Sequence, residues 1–420
     1  MKYVPREIFS KVAEHLSKPE ITVIVGARQV GKTVLLEQLQ EWLRKKKKIS
    51  QNRIFYYNLD ILRDRELFYN QTELIKFLKQ RISKKAYLFV DEAQRIENPG
   101  IFFKGIYDSK LPLKIVLTGS SSLEIKAKIH EALTGRKKVF YLYPFSFRET
   151  LIANQPDLFH LVKKKDISEF DKKLLAETFQ DYILWGGYPR VVLAKNIQEK
   201  EDILAEIYSS YIEKDIVGFL KIKKPFLFTR LVKLLAGQVG ELVNINELAS
   251  SLRMDRDTVE RYLKTLKETF IIEIVAPYFR NPRQEVIKMP KNYFIDTGFL
   301  NYTLADFRSF SKRQKAGPIF ENAVFSELRQ TIKGIDQLKF WRTRAKAEVN
   351  FILCQNQNVV PIEVKMSLSE RIPLGLRNFI KRYQPPKAFL IGFGPEKEIV
   401  YKKTKIYLLP PYRIARLASL

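Results

Sequence analysis

The sequence is short of the residues that staple or export a protein. It has one cysteine, Cys354, and three histidines, His15, His130 and His160, in 420 residues. A lone thiol excludes an intramolecular disulfide, and three scattered imidazoles exclude a Cys/His zinc cluster. No apolar run reaches about 18 residues. The opening MKYVPREIFSKVAEHLSK has neither a continuous apolar core nor a small-residue cleavage site, so the expectation is a cytoplasmic chain with no spanning helix. Acidic residues are scarce too: 46 Asp+Glu face 74 Lys+Arg, for a formal net charge of +28. That excess points to a polyanionic partner, and nucleic acid and an anionic membrane face both qualify. What is present is globular: 45% hydrophobic and 12% aromatic residues exclude a disordered tail. At about 100–200 residues per domain the length predicts two to four domains.

The first 150 residues alternate apolar runs with helical periodicity, the pattern of a parallel sheet covered by helices. Strands are expected at Ile21 to Val25, Arg53 to Leu59, Ala86 to Val90 and Lys114 to Thr118, with a helix over Thr33 to Lys47. Asp171 to Leu220 reads as helical, broken by the turn Gly186-Gly187-Tyr188-Pro189, with Pro225 marking its end. Phe226 to Leu300 gives three helical segments and a strand pair, and mixed strands and helices follow the basic turn Ser311 to Gly317. The cluster Arg44 to Lys48 reads as a solvated helix terminus, with a DNA-facing lobe or a nuclear-type signal as the alternatives.

Gly26-Ala27-Arg28-Gln29-Val30-Gly31-Lys32-Thr33 fits G-x-x-x-x-G-K-[ST] between a strand and a helix. In that context the backbone amides cradle a β-phosphate, Lys32 neutralises β/γ oxygens and Thr33 ligates Mg²⁺. The strand AYLFV ends in Asp91-Glu92. Asp91 is then the residue for the Mg²⁺ shell and Glu92 the one that polarises the attacking water. The strand ending at Thr118 leads into Gly119-Ser120-Ser121-Ser122, read either as a γ-phosphate sensor or as a serine-rich turn. The expected cofactors are therefore ATP and Mg.

Three further runs, Leu133-Thr134-Gly135-Arg136, Leu142-Tyr143-Pro144-Phe145-Ser146-Phe147-Arg148-Glu149 and Trp185-Gly186-Gly187-Tyr188-Pro189-Arg190, accompany these motifs. Together they resemble archaeal and bacterial AAA-type ATPases that carry a C-terminal domain of unknown function. The resemblance spans nearly the whole chain and implies an AAA+ core with a helical lid. It also implies sensor roles for Thr118 to Ser120, a candidate arginine finger in Arg136, a candidate second sensor in Arg190, and a homo-oligomer. For both arginines a surface ion pair is the alternative.

Ile245 to Leu252 and Thr258 to Phe270 have helix-turn-helix spacing, with an Asp of Arg253-Met254-Asp255-Arg256-Asp257 free to cap the second helix. Val259, Leu263 and Leu266 share one face, Arg261 and Lys264 lie elsewhere, and Ile271 to Val275 with Arg280 to Lys288 read as strands with a wing. Two readings stand. One is a winged helix on DNA, with Arg280, Arg283 and Lys288 on phosphates; the other is a winged helix that holds protein partners.

In the last segment Glu321 shares a helical stripe with Val324, Phe325 and Leu328, and Glu363 and Lys365 share a strand face in an E-x-K pattern. A helix Glu, a strand residue and E-x-K form a metal-nuclease layout. With Trp341-Arg342-Thr343, the set resembles the restriction-endonuclease-like fold of the same family. Asn350 stands where that pattern has a metal-binding aspartate, which weakens the expected ligand set of Glu321, Asn350 and Glu363. Arg342 and Lys365 are candidate phosphate contacts.

The expected fold class is α/β: residues 1–155 an AAA+ P-loop core, 156–222 a helical lid, 223–305 a winged helix and 306–420 a restriction-endonuclease-like domain of degenerate PD-(D/E)xK type. The expected function is Mg-ATP hydrolysis coupled to binding and remodelling of DNA, with branched DNA among the candidates. The alternatives are an ATP-dependent signalling switch that recruits a protein or membrane partner, and an ATP-regulated endonuclease.

Overall fold

The computed structural model describes residues 3–120, 133–164, 166–212, 224–279, 288–332, 337–355 and 358–418. It forms two compact units, Met1–Pro144 with Glu268–Phe270, and Phe145–Lys267 with Ile271–Leu420.

The first unit is built on five parallel strands: β1 (Ile21–Gly26), β2 (Ile54–Asn58), β3 (Ala86–Asp91), β4 (Leu113–Ser120) and β5 (Lys137–Leu142). Their order is β2-β3-β4-β1-β5, and every neighbouring pair is parallel. β1 and β3 are buried along their whole length. That explains why their sequences run apolar without alternation, since helices cover both faces of such a sheet. The helix Lys32–Lys45 buries Leu35, Leu36, Leu39 and Leu43 along one stripe. The four expected strands are present to within two residues; β5 is an addition. The order decides the chemistry, because β4 lies between the strand that ends in the phosphate loop and the strand that ends in Asp91.

The second unit begins with helices Phe147–Asn154, Pro156–Lys163, Glu169–Trp185, Pro189–Val192 and Ile197–Ser209. Helices Pro225–Gly237, Ile245–Leu252 and Arg256–Glu268 follow, then an antiparallel pair, β6 (Ile272–Val275) with β7 (Lys291–Phe294). Pro225 stands at the expected boundary, after residues 213–223, which lie outside the described residues. It opens a helix at the first position, where its missing N–H costs nothing. The second helix of the helix-turn-helix starts at Arg256 rather than Thr258, because Asp255 Oδ1 accepts the Thr258 amide at 2.7 Å and so caps it earlier.

Helices Thr297–Leu304 and Ala316–Thr331 lead into a six-stranded mixed sheet. Its strands are β8 (Gln337–Arg342), β9 (Glu348–Gln355), β10 (Asn358–Ser367), β11 (Lys387–Phe393), β12 (Lys397–Tyr401) and β13 (Thr404–Leu409), in the order β12-β13-β11-β10-β9-β8.

The boundaries expected near residues 155, 222 and 305 all fall inside this second unit. Helices Glu169–Trp185, Ile197–Ser209 and Pro225–Gly237 all pack on Thr297–Leu304. Buried Asp296 ties the turn after Glu169–Trp185 to the start of Thr297–Leu304: its carboxylate accepts from the Gly187 amide at 2.7 Å and the Phe299 amide at 2.9 Å. Burial pushes its pKa up to about 6 against the pull of those amides. Gly186 has φ +73° and ψ −166°, a conformation open to glycine, and a Cβ there would stand 2.3 Å from the Asp296 carboxylate. A second fastening closes the unit: buried Arg413 donates to the carbonyls of Val162 at 3.1 Å and Lys164 at 2.5 Å and pairs with Glu396 at 3.1 Å. Among the described residues no helix is long and apolar enough to cross a membrane.

Candidate functional site

The phosphate loop occupies the turn between β1 and the helix Lys32–Lys45. Gln29 and Gly31 have φ of +59° and +92°, left-handed residues that let successive amides converge on one anion. Ala27 and Val30 are buried beneath the loop, and Arg28 is part-buried. The Lys32 ammonium, buried in the loop, donates to the carbonyls of Ala27 at 2.9 Å and Gly26 at 3.3 Å.

Arg6, missed by the sequence reading, braces the loop from outside. Its buried guanidinium donates to the Val30 carbonyl at 2.7 Å and the Tyr143 carbonyl at 2.6 Å. In a trans peptide C=O and N–H point opposite ways. Holding the Val30 carbonyl toward Arg6 therefore turns the Gly31 amide away from it.

Asp91 is buried at the end of β3 and is the hub of the polar groups. Its carboxylate accepts from the Thr33 hydroxyl at 2.6 Å, from the Thr118 hydroxyl, and from Tyr56 at 3.5 Å. Tyr56, also missed, has its phenol pKa raised by burial and then by the Asp91 charge, so it stays a donor. Thr118 also accepts the Glu92 amide at 3.1 Å, which joins β4 to the residue beside Asp91. Glu92 sits at φ +54°, part-buried, with its carboxylate held by the Gln94 amide. A hydroxyl and a buried carboxylate in contact, beside a lysine in a left-handed amide loop, suit a Mg²⁺–triphosphate. Thr33 and Asp91 would hold the ion and Lys32 the phosphates.

A second polar cluster lies in the other unit. Asn350 Nδ2 donates to Glu321 at 2.6 Å, its backbone N–H reaches Glu363 at 3.4 Å, and its Oδ1 accepts from the Val364 amide at 2.8 Å. The expected ligand carbonyl of Asn350 is thus turned to the backbone, and the amide presents a donor to the carboxylate. Lys365 pairs with Glu363 at 2.7 Å. Burial raises the Glu363 pKa while the Lys365 charge lowers it. Among the described residues no three His, Cys, Asp or Glu side chains converge as a metal-ligand group.

Three family models match the chain: an AAA domain over residues 18–151, a domain of unknown function (DUF8612) over 176–309, and a second (DUF4143) over 316–412. The chain carries an AAA-type P-loop ATPase domain and a C-terminal domain of unknown function. This ATPase is 26% identical over 360 residues to an uncharacterised protein of Haemophilus influenzae, a match covering 83% of each chain. It is 28% identical over 376 residues to one of Methanocaldococcus jannaschii, covering 88% of this chain and 79% of the relative. A solved Walker-type ATPase of Pyrococcus abyssi aligns at TM-score 0.45 and 18% identity, over 72% of this chain and 96% of that one.

Within the ATPase the remaining expected residues are dispersed. Arg136 pairs with Asp108 at 3.1 Å, and its carbonyl accepts the Ile21 amide at 2.8 Å, at the amino end of β1. At about 3.3 Å per residue it stands roughly 16 Å from the loop end of that strand, so it does not serve its own chain's phosphates. Arg190 pairs with Glu206 at 2.7 Å, the surface ion pair weighed as its alternative. Ser120 ends β4, but its side chain, with Ser121 and Ser122, lies outside the described residues, as do Arg280 and Arg283. Arg261 and Lys264 are exposed on the helix Arg256–Glu268, and Lys288 is exposed before β7. Arg342 is paired with Glu348 at 3.2 Å.

Proposed function

We propose that this AAA-type ATPase uses Mg-ATP hydrolysis to remodel DNA held by its C-terminal half. The observation that carries the hydrolytic part is the joining of Thr33, Asp91, Thr118 and Glu92 across three adjacent strand ends. Lys32 and the loop amides bind phosphate, Thr33 and Asp91 position the ion, and Glu92 orients water for in-line attack. Bound Mg²⁺ would neutralise charge on the β and γ oxygens. Ser120 would contact the γ-phosphate, and Arg136, turned away from its own loop, would act on a neighbouring copy. Hydrolysis would then depend on assembly.

The DNA part is supported by the second unit. A capped turn joins Ile245–Leu252 to Arg256–Glu268, the antiparallel pair β6–β7 follows, and Leu242 makes an isolated antiparallel bridge to Lys291. That order supports a winged-helix reading, in which the exposed Arg261 and Lys264 of the second helix would approach a groove. Lys288 on the wing side, with Arg280 and Arg283, would touch phosphates. A signalling switch has one observation in its favour, the exposed Ile61, Leu62, Leu67, Tyr69 and Ile101 of the first unit, an apolar surface suited to a protein partner. Steady-state ATP hydrolysis without DNA and with single-stranded, duplex and four-way-junction DNA, with Lys32→Ala as blank, separates the two. Stimulation by one DNA form is expected; indifference to all of them refutes DNA remodelling in favour of the switch.

A further inference from the structure

The carboxylate cluster of the C-terminal sheet already contains a cation. Lys291 on β7, its side chain 4% exposed, pairs with Glu348 and lies 3.6 Å from Glu321. Each acid there has its own donors. Glu321 receives the Tyr293 hydroxyl at 2.5 Å and the Asn350 amide at 2.6 Å, Glu348 receives Arg342 at 3.2 Å as well as Lys291, and Glu363 receives Lys365 at 2.7 Å. Glu321, Glu348 and Glu363 are thus matched one for one by Lys291, Arg342 and Lys365. Nothing is left uncompensated to draw in a divalent ion, and Asn350, the one neutral candidate ligand, points its carbonyl at the Val364 amide.

We propose that the Lys291 ammonium is the resident cation of this pocket, so that the pocket is closed to divalent ions and clasps the β6–β7 hairpin onto the six-stranded sheet. The lysine is held by strand register rather than by chance rotamer: Lys291 is opposite Val275 in the hairpin and bridges to Leu242. Its Nζ also lies 5.4 Å from the Phe340 ring on β8, a second contact that only a cation exploits. A magnesium-sized ion needs near-octahedral oxygen at short range, and a buried ammonium among the same carboxylates repels it while using the oxygens it would need. On this account Asn350→Asp alone does not recover a metal site. The inference is independent of DNA remodelling, since it concerns how the hairpin is fixed, whatever that hairpin binds.

Mn²⁺ is the probe, with free ion read by electron paramagnetic resonance on nucleotide-free, full-length Lys32→Ala/Asp91→Asn chain, in which the phosphate-loop site is disabled. That chain and its Asn350→Asp derivative are expected to bind no Mn²⁺ tighter than about 1 mM, the weak limit for carboxylate sites. Adding Lys291→Met to Asn350→Asp is expected to create one site, lost again with Glu363→Gln. Sub-millimolar binding that depends on Glu363 while Lys291 is present, with or without Asn350→Asp, overturns the proposal. So does a folded Lys291→Met/Asn350→Asp chain that stays empty. If Lys291→Met fails to fold, the two lysine-containing chains still decide the question of closure. For the clasp, amide exchange across β6 and β7 is expected to rise at least tenfold in folded Lys291→Met or Lys291→Gln; unchanged exchange refutes it.

Discussion

Arg6 offers the sharpest test of how the phosphate loop is held. Its guanidinium makes two buried hydrogen bonds to main-chain carbonyls, Val30 at 2.7 Å and Tyr143 at 2.6 Å. A hydrogen bond to a charged group contributes about 1.5–3 kcal/mol, so Arg6→Met costs about 3–6 kcal/mol in total. The Tyr143 bond acts on the stability of the first unit alone. The Val30 bond also orients the peptide that carries the Gly31 amide, so up to about 1.5–3 kcal/mol of it reaches the nucleotide, a loss of roughly 10- to 100-fold in affinity. Arg6→Lys keeps the charge but cannot span two carbonyls with a planar fork, and is expected to fall between. Titration calorimetry with ADP gives the affinity, and urea unfolding of the same samples gives the stability. An Arg6→Met chain that is folded and binds ADP as tightly as the parent refutes the bracing argument. One that loses stability with unchanged affinity assigns Arg6 to packing alone.

Glu92→Gln keeps the shape of the water-orienting residue and removes its charge. ATP turnover is expected to fall about 10²- to 10⁴-fold while ATP binding is retained, measured by single-turnover hydrolysis and nucleotide titration; a loss of binding with turnover would contradict the assigned role. Asp296 gives a pH prediction. Its folded pKa, about 6, is raised above the ordinary 3.8. Its contribution is therefore fully present below the unfolded value and is lost as pH rises through about 6. Relative to Asp296→Asn, the wild type should lose about 2 kcal/mol of stability between pH 4 and pH 7, read from urea midpoints of both chains at each pH. An unchanged difference refutes it.

The parts of the molecule written in contiguous residues were legible in the sequence. The phosphate loop, Asp91-Glu92 and the strand into Thr118 are each a strand followed by its own functional turn, so period and motif locate them together. The pairing of Thr118 with Asp91 follows from strand order, which places β4 between β1 and β3. Arg6 and Tyr56 were hidden because they meet the site through tertiary packing, from before β1 and from a neighbouring strand, with no motif spacing to mark them. Lys291 reads in sequence as one more lysine before a strand in a chain rich in lysines, and only burial shows its use. The contacts that join the later segments to one another were invisible for a similar reason. Turn residues such as Pro225 mark local punctuation, whereas Asp296 and the helix Thr297–Leu304 bind those segments across more than one hundred residues of chain, as the Gly187 amide to Asp296 separation of 109 shows.

The Arg413 fastening sets a condition on biosynthesis. Its donors meet the Val162 carbonyl across 251 residues of sequence. Helices made early in the second unit therefore wait for their partner while a further 251 residues are synthesised. At about 5–20 residues per second that wait is roughly 13–50 s, long enough for exposed apolar helix faces to meet chaperones or other nascent chains.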